Sequence, residues 1–173
     1  RRQKLAKALA AFNKDRMAPL CTSAGFEMVS VDEDLEVLYG SRPYFLLSAS
    51  EQYRVRAVLQ LAIADLDGSP VVILDGADML DQEGREGLFG MLAAQKERGF
   101  LVGMTMDEAA QAPNLKEAGL GTTYWIDGGI AKRGRAGYEP DADGPDSRLD
   151  PDAIAETYFF VHRQHRSAWT WEV

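Results

Sequence analysis

Val71-Val72-Ile73-Leu74-Asp75-Gly76-Ala77-Asp78 is the stretch on which the fold of this chain turns. Its first residues are uninterruptedly apolar, so the run suits a strand covered on both faces in a parallel sheet. An aspartate at the carboxyl end of such a strand points into the crevice where open α/β sheets bind ligands. In nucleotide-hydrolysing folds a carboxylate at that place holds Mg2+, which bridges the phosphates. An apolar strand ending in Asp before Gly is also an ordinary exit from strand to turn, so the run alone does not decide between the two.

Upstream, Leu47-Ser48-Ala49-Ser50-Glu51-Gln52 stands where a helix begins, because Val55, Val58, Leu59, Ala62 and Ile63 follow at helical spacing. Ser48 or Ser50 is the expected N-cap, with Glu51 in the first turn. The free N–H groups and positive end of a helix also bind anions, so a plain cap and an anion site are both open readings. Gly68-Ser69-Pro70 breaks the chain before the decisive strand. Downstream, Gln82 to Arg98 is predicted helical with Leu88, Met91 and Leu92 inward, and Gly99 to Thr105 is predicted to be a second buried strand. Thr123 to Ile126 is a further expected strand, closed by Asp127-Gly128-Gly129.

At the start, Leu5, Leu9, Phe12 and Leu20 lie among Lys4, Lys7, Lys14 and Arg16, which predicts an amphipathic helix ending near Pro19. Phe26–Val31 and Leu35–Tyr39, joined by Asp32-Glu33-Asp34, predict an antiparallel hairpin. The expected class is therefore α/β, a mostly parallel sheet flanked by helices with an antiparallel N-terminal hairpin. Residues 128–151 are rich in Gly, Asp, Pro and Arg and read as a long mobile loop; an apolar pattern resumes over Ala153–Val161.

The 173 residues can bury one sizeable core, and 46% apolar with 27% charged residues is an ordinary globular balance. A net charge of −8 argues against a surface wrapped in nucleic acid, though not against a local basic patch. No apolar run approaches the roughly 20 residues that span a bilayer, so no membrane partner is expected. One cysteine, Cys21, leaves no internal disulfide and suits a reducing cytoplasm. A chain opening on Arg1 is expected to be a piece of a longer protein.

Taken in order, the Ser48 segment and the Asp75 strand resemble the signature and Walker B motifs of an ABC-type ATPase head, of the kind found in SMC-like chromosome and DNA-repair proteins. The signature there reads Leu-Ser-Gly-Gly-Gln or Leu-Ser-Gly-Gly-Glu; here it is Leu47-Ser48-Ala49-Ser50-Glu51. The resemblance covers roughly residues 26–128. It implies that residues 1–20 are the end of a coiled-coil arm or a leading helix and that residues 21–173 form the C-terminal lobe of the head. It implies ATP and Mg2+ as cofactors, with Ser48, Ala49, Ser50 and Glu51 facing the γ-phosphate of a nucleotide held by the opposite head. Leu80-Asp81 then resembles a D-loop, placing Asp81 at the nucleotide. Asp75 would be the metal ligand, and Asp78 or Thr105 would orient the attacking water. The implied partners are an N-terminal P-loop lobe, on the same or a separate chain, a second head in a head-to-head homodimer, and DNA.

The chain departs from the family in three places. No Gly-x-x-x-x-Gly-Lys-Ser/Thr occurs, so this chain has no cradle for the β- and γ-phosphates. Gly76 stands where the family has the glutamate that polarises water, which predicts slow or absent hydrolysis with nucleotide binding retained. Asp75 to Asp81 is one residue shorter than the family's usual spacing. Asp78 is equally readable as the cap of the following helix. The Val71–Asp78 run also resembles the DEAD-box helicase motif with Gly for Glu, but the other helicase motifs are not visible. Arg54 and Arg56 read as a solvated face, Arg133 and Arg135 as loop charges, and His162 and His165 as surface residues. Trp169 and Trp171 read as packing groups.

Overall fold

The chain enters through a helix that does not stop at its proline. In the computed structural model, which describes residues 2–108, 111–127 and 130–133, α1 (Arg2–Phe12) continues through a π-helical turn, Asn13–Met17, into α2 (Ala18–Ala24). The helix was expected to end near Pro19, but Pro19 lies in the first turn of α2. The π turn before it, in which the Ala18 N–H donates to the Asn13 carbonyl, accommodates a residue that has no N–H and whose ring crowds the preceding turn. The same turn presents Asn13 to the neighbouring strand: its side chain donates to the Val31 carbonyl at 2.8 Å and accepts the Val31 N–H at 3.0 Å. Gly25, at φ +65°, ends the helix in the left-handed conformation usual for this position.

The antiparallel hairpin follows as expected. β1 (Val29–Val31) pairs with β2 (Val37–Tyr39), Val29 lying opposite Tyr39, and β3 (Arg42–Pro43) extends the sheet. Asp32 shapes the turn by accepting the N–H groups of Asp34 and Glu36 on one carboxylate oxygen, at 2.9 and 2.8 Å.

α3 (Ala49–Asp67), β4 (Val71–Leu74), α4 (Gln82–Ala93) and β5 (Gly99–Val102) complete this part of the chain. β4 and β5 run parallel, with Val71 opposite Gly99 and Leu74 opposite Val102. α4 ends at Ala93, not at Arg98, and the turns after it deliver the Arg98 side chain to the end of α3. There it donates to the Ala64 and Ser69 carbonyls at 3.0 and 2.9 Å and to Asp65 at 2.8 Å. A cation closing a helix C-terminus in this way satisfies carbonyls that have no partner inside the helix.

The expectation that β4 and β5 are buried on both faces is corrected. Val72 and Leu74 face the core, but Val71, Ile73 and Leu101 are 51, 39 and 54% exposed. Side chains alternate across a strand, and among the described residues helices cover one face only of this two-stranded sheet. The fold is mixed α and β, with one small parallel pair and antiparallel hairpins, rather than a mostly parallel sheet. A parallel pair needs a helical crossover, and β4–α4–β5 is the one such connection among the described residues.

The chain divides into two units, Arg1–Thr105 and Met106–Val173. The core of the first joins Met17, Leu20 and Cys21 of the entry helix to Val58 and Leu61 of α3 and Leu88 and Met91 of α4. In the second, β6 (Tyr124–Asp127) and β7 (Ile130–Arg133) form an antiparallel pair, so the expected loop from residue 128 contains a strand. The rest of that loop, Arg135, Ala153–Val161, His162, His165, Trp169 and Trp171 lie outside the described residues. Among the described residues no helix is long and apolar enough to cross a membrane.

α4 crosses the entry helix at a glycine. A β-carbon on Gly87 would lie 2.3 Å from the Ala24 carbonyl oxygen and 2.6 Å from the Phe26 ring. Because the first obstacle is backbone, a helix must shift, and Gly87→Ala is expected to lower unfolding stability by about 2 kcal/mol, read from its denaturant midpoint.

Candidate functional site

The carboxyl ends of β4 and β5 meet at two small residues. The Leu74 carbonyl accepts the Gly103 N–H at 2.8 Å, and the Gly103 carbonyl accepts the Ala77 N–H at 3.0 Å. Asp75 leaves β4 here, one carboxylate oxygen accepting the Gly76 N–H at 2.9 Å. A β-carbon on Gly103 would lie 2.2 Å from that same oxygen, so the carboxylate lies across the strand end only because residue 103 has no side chain. In the sequence Gly103 carries little sign of this role. Its one signal is a glycine following the last apolar residue of a strand.

Gly76 takes φ +75°, a left-handed conformation that turns the chain into the short 3-10 helix Ala77–Met79. That helix carries Asp78, whose carboxylate accepts the Thr105 N–H at 3.1 Å. Asp75, Asp78 and Thr105 are thereby gathered at one place, Asp75 over Gly103 and Asp78 on the next residue but one of the same strand end. Asp78 does not cap α4. Asp81 does, accepting the Gly84 N–H at 2.7 Å. The Gly84 bond, together with Arg54, holds the Asp81 carboxyl below its usual range.

Arg54 is not a solvated residue as the sequence suggested. Its side chain is only 16% exposed, lies 5.3 Å above the Phe26 ring centre and donates to Asp81 at 2.8 Å. The apolar stem and ring draw the guanidinium inward, and the carboxylate supplies the charge it needs there. Arg56 does remain exposed, 5.7 Å from the centre of the Tyr53 ring.

At the start of α3 the Ser48 segment forms a capping box. The Ser48 hydroxyl oxygen accepts the Glu51 N–H at 3.4 Å, and the Glu51 carboxylate accepts the Ser48 N–H at 2.9 Å. Arg42 donates to the other Glu51 oxygen. These bonds, that of Arg42 foremost, hold the Glu51 carboxyl down at about 2. The N–H groups of Ala49 and Ser50 point out of the helix end without a helical acceptor. Ser48 and Ala49 are exposed, whereas the Ser50 hydroxyl is buried without a hydrogen-bond partner among the described residues. An incoming anion would therefore share this helix end with a carboxylate already matched to Arg42.

Two contacts join the helix end to the carboxylate turn. Tyr53, in the second turn of α3, packs beneath Gly76, its ring 4.0 Å from where a β-carbon would stand. The Arg54 to Asp81 bond lies beside it. No His, Cys, Asp or Glu cluster of three or more with metal-holding geometry occurs among the described residues. The chain matches no protein-family model and no curated protein.

Glu51 gives a pH signature. Its folded value of about 2 lies below its ordinary 4.5, so its contribution to stability is complete above 4.5 and is lost as pH falls toward 2. Thermal melts of Glu51→Gln and the parent chain should differ most at neutral pH and converge across that window.

Proposed function

We propose that this chain is the signature-bearing C-terminal half of an SMC-like ABC ATPase head. With a P-loop lobe, on the same or another chain, it would bind ATP and Mg2+ at a head-to-head dimer interface and couple binding to DNA transactions in the cytoplasm. The observation that carries the reading is the joining of two motifs in one unit. α3 presents Ser48 at its start and seats Tyr53 and Arg54 against the turn that holds Asp75 and Asp81.

The donors suit the group. Asp75 gives one oxygen to the Gly76 N–H and keeps the other, and Mg2+ takes one or two carboxylates plus substrate phosphates and water rather than a full protein cage. Asp75 would hold Mg2+, which would supply positive charge against that of the phosphates. The N–H groups of Ala49 and Ser50 would meet a γ-phosphate carried by the opposite head, and the Ser48 hydroxyl, which donates to the Glu51 carboxylate at 3.0 Å, would turn to it. Asp78, fixed on the Thr105 N–H, would orient water at the strand end. Strands from the P-loop lobe would extend the parallel sheet beside β4 and β5 and so make the assembled head mostly parallel. The bare apolar side chains of Val71, Ile73 and Leu101 leave one face of this sheet for other elements of that lobe to cover.

Sedimentation of the chain with its P-loop lobe should show dimers that require ATP. Ser48→Arg should abolish them while lowering the melting temperature by only the few degrees that loss of the N-cap brings, and dimers that persist in this variant would rule the reading out.

A second reading, a module that binds nucleotide without hydrolysing it, is favoured by Gly76. The left-handed backbone there is adopted reluctantly by a glutamate, at a cost of about 1 kcal/mol. Gly76→Glu should raise ATP turnover of the assembled head at least ten-fold if the remaining site is complete. Unchanged turnover would assign the chain to the non-hydrolysing class.

A further inference from the structure

α1 runs for 11 residues without burying one of them. Its last residue, Phe12, packs against the core, while Leu5 nearer its start is 42% exposed. Packing along its length therefore does not fix the direction in which α1 leaves the core. That direction is decided at its base, in the π turn Asn13–Met17. Met17 closes the turn fully buried. Asn13 opens it with both ends of its amide on Val31, donating to the carbonyl and accepting the N–H.

A primary amide that donates and accepts side by side does what a neighbouring strand would do. β1 is an outer strand of its sheet, paired with β2 alone among the described residues, and Asn13 takes the place of the missing neighbour. A π turn holds one residue more than an α turn. If it closed to α geometry, α1 would rotate by about 100°, one residue's share of a helical turn, and Asn13 would leave Val31. Pro19 opposes that closure, because in an unbroken α-helix its ring crowds the carbonyl four residues back, that of Asp15.

We propose that the π turn is a two-position joint for α1, latched by Asn13 on the edge of β1. In the latched position the turn is wide and Asn13 pairs with Val31. In the released position the turn is α-helical and α1 is rotated about its base. A partner that grips α1 and favours one direction would shift the balance between them. The joint stands on the first unit of the chain alone and does not depend on the ATPase reading.

The test places spin labels on cysteines at two exposed positions, Ala8→Cys in α1 and Glu83→Cys in α4, and leaves the buried Cys21 in place. Pulsed electron paramagnetic resonance then reads the distance between them. The otherwise unaltered chain should show one distance. Asn13→Ala should raise the share of a second distance about ten-fold or more, the scale of two lost hydrogen bonds. The second should differ by about 5 Å, since a helix with its side chains is about 10 Å across. Adding Pro19→Ala should raise that share further. Deleting exposed Lys14 removes the extra residue of the turn, so Asn13→Ala in that background should return to the first distance alone. Only the first distance in Asn13→Ala overturns the proposal. So does a second distance that survives the deletion, which would mark fraying of α1 rather than a change of register. If the deleted chain does not fold, the response to Pro19→Ala decides, and a share that fails to rise overturns the proposal.

Discussion

Helix α3 buries side chains around more than one of its faces, from Tyr53 and Val55 through Val58 and Leu61 to Ala64. A helix so enclosed cannot slide or roll without opening the core on several sides at once. Its position therefore sets that of everything attached to it. Its first turn presents Ser48, its second supports the Asp75–Gly76 turn, and its last is closed by Arg98 from the start of β5. The candidate site depends on that one placement more than on any bond within the site.

Three arginine–carboxylate pairs act at the ends of elements. Arg42 holds Glu51 at the start of α3, Arg54 holds Asp81 at the start of α4, and Arg98 holds Asp65 near the end of α3. An exposed pair such as Arg42–Glu51 contributes little to stability, whereas Arg54 and Arg98 are largely buried; all three fix geometry at the ends of elements. Glu51 and Asp81 each also accept backbone N–H groups at a helix start, and the arginine then fixes which way the carboxylate faces. The positive ends of α3 and α4 are thus already partly neutralised by the chain's own acids.

Glycine controls access to the strand ends in two different ways. Gly76 supplies a left-handed turn, whereas Gly103 supplies empty space for the Asp75 carboxylate. The first was legible as the residue after a strand-ending aspartate. The second was not, because its need comes from a side chain far away in the sequence that reaches it only across the sheet. Arg54 was misjudged for the same reason: its partners Phe26 and Asp81 come from opposite directions along the chain. The sheet itself was over-read, since an apolar run marks a strand able to be covered on both faces and not one that is covered.

Local chemistry by itself determined the capping box at Ser48, the hairpin through Asp32, the break at Gly68 and the strand ending before Asp75, because each depends on residues close together in the chain. Tertiary structure alone decided that the entry helix passes its proline through a π turn, that Asp81 and not Asp78 caps α4, and that Tyr53 lies unpaired beneath Gly76. These outcomes follow from which surfaces meet in the folded unit, and burial and close approach between distant residues leave no periodic or capping signature for a sequence reading to find.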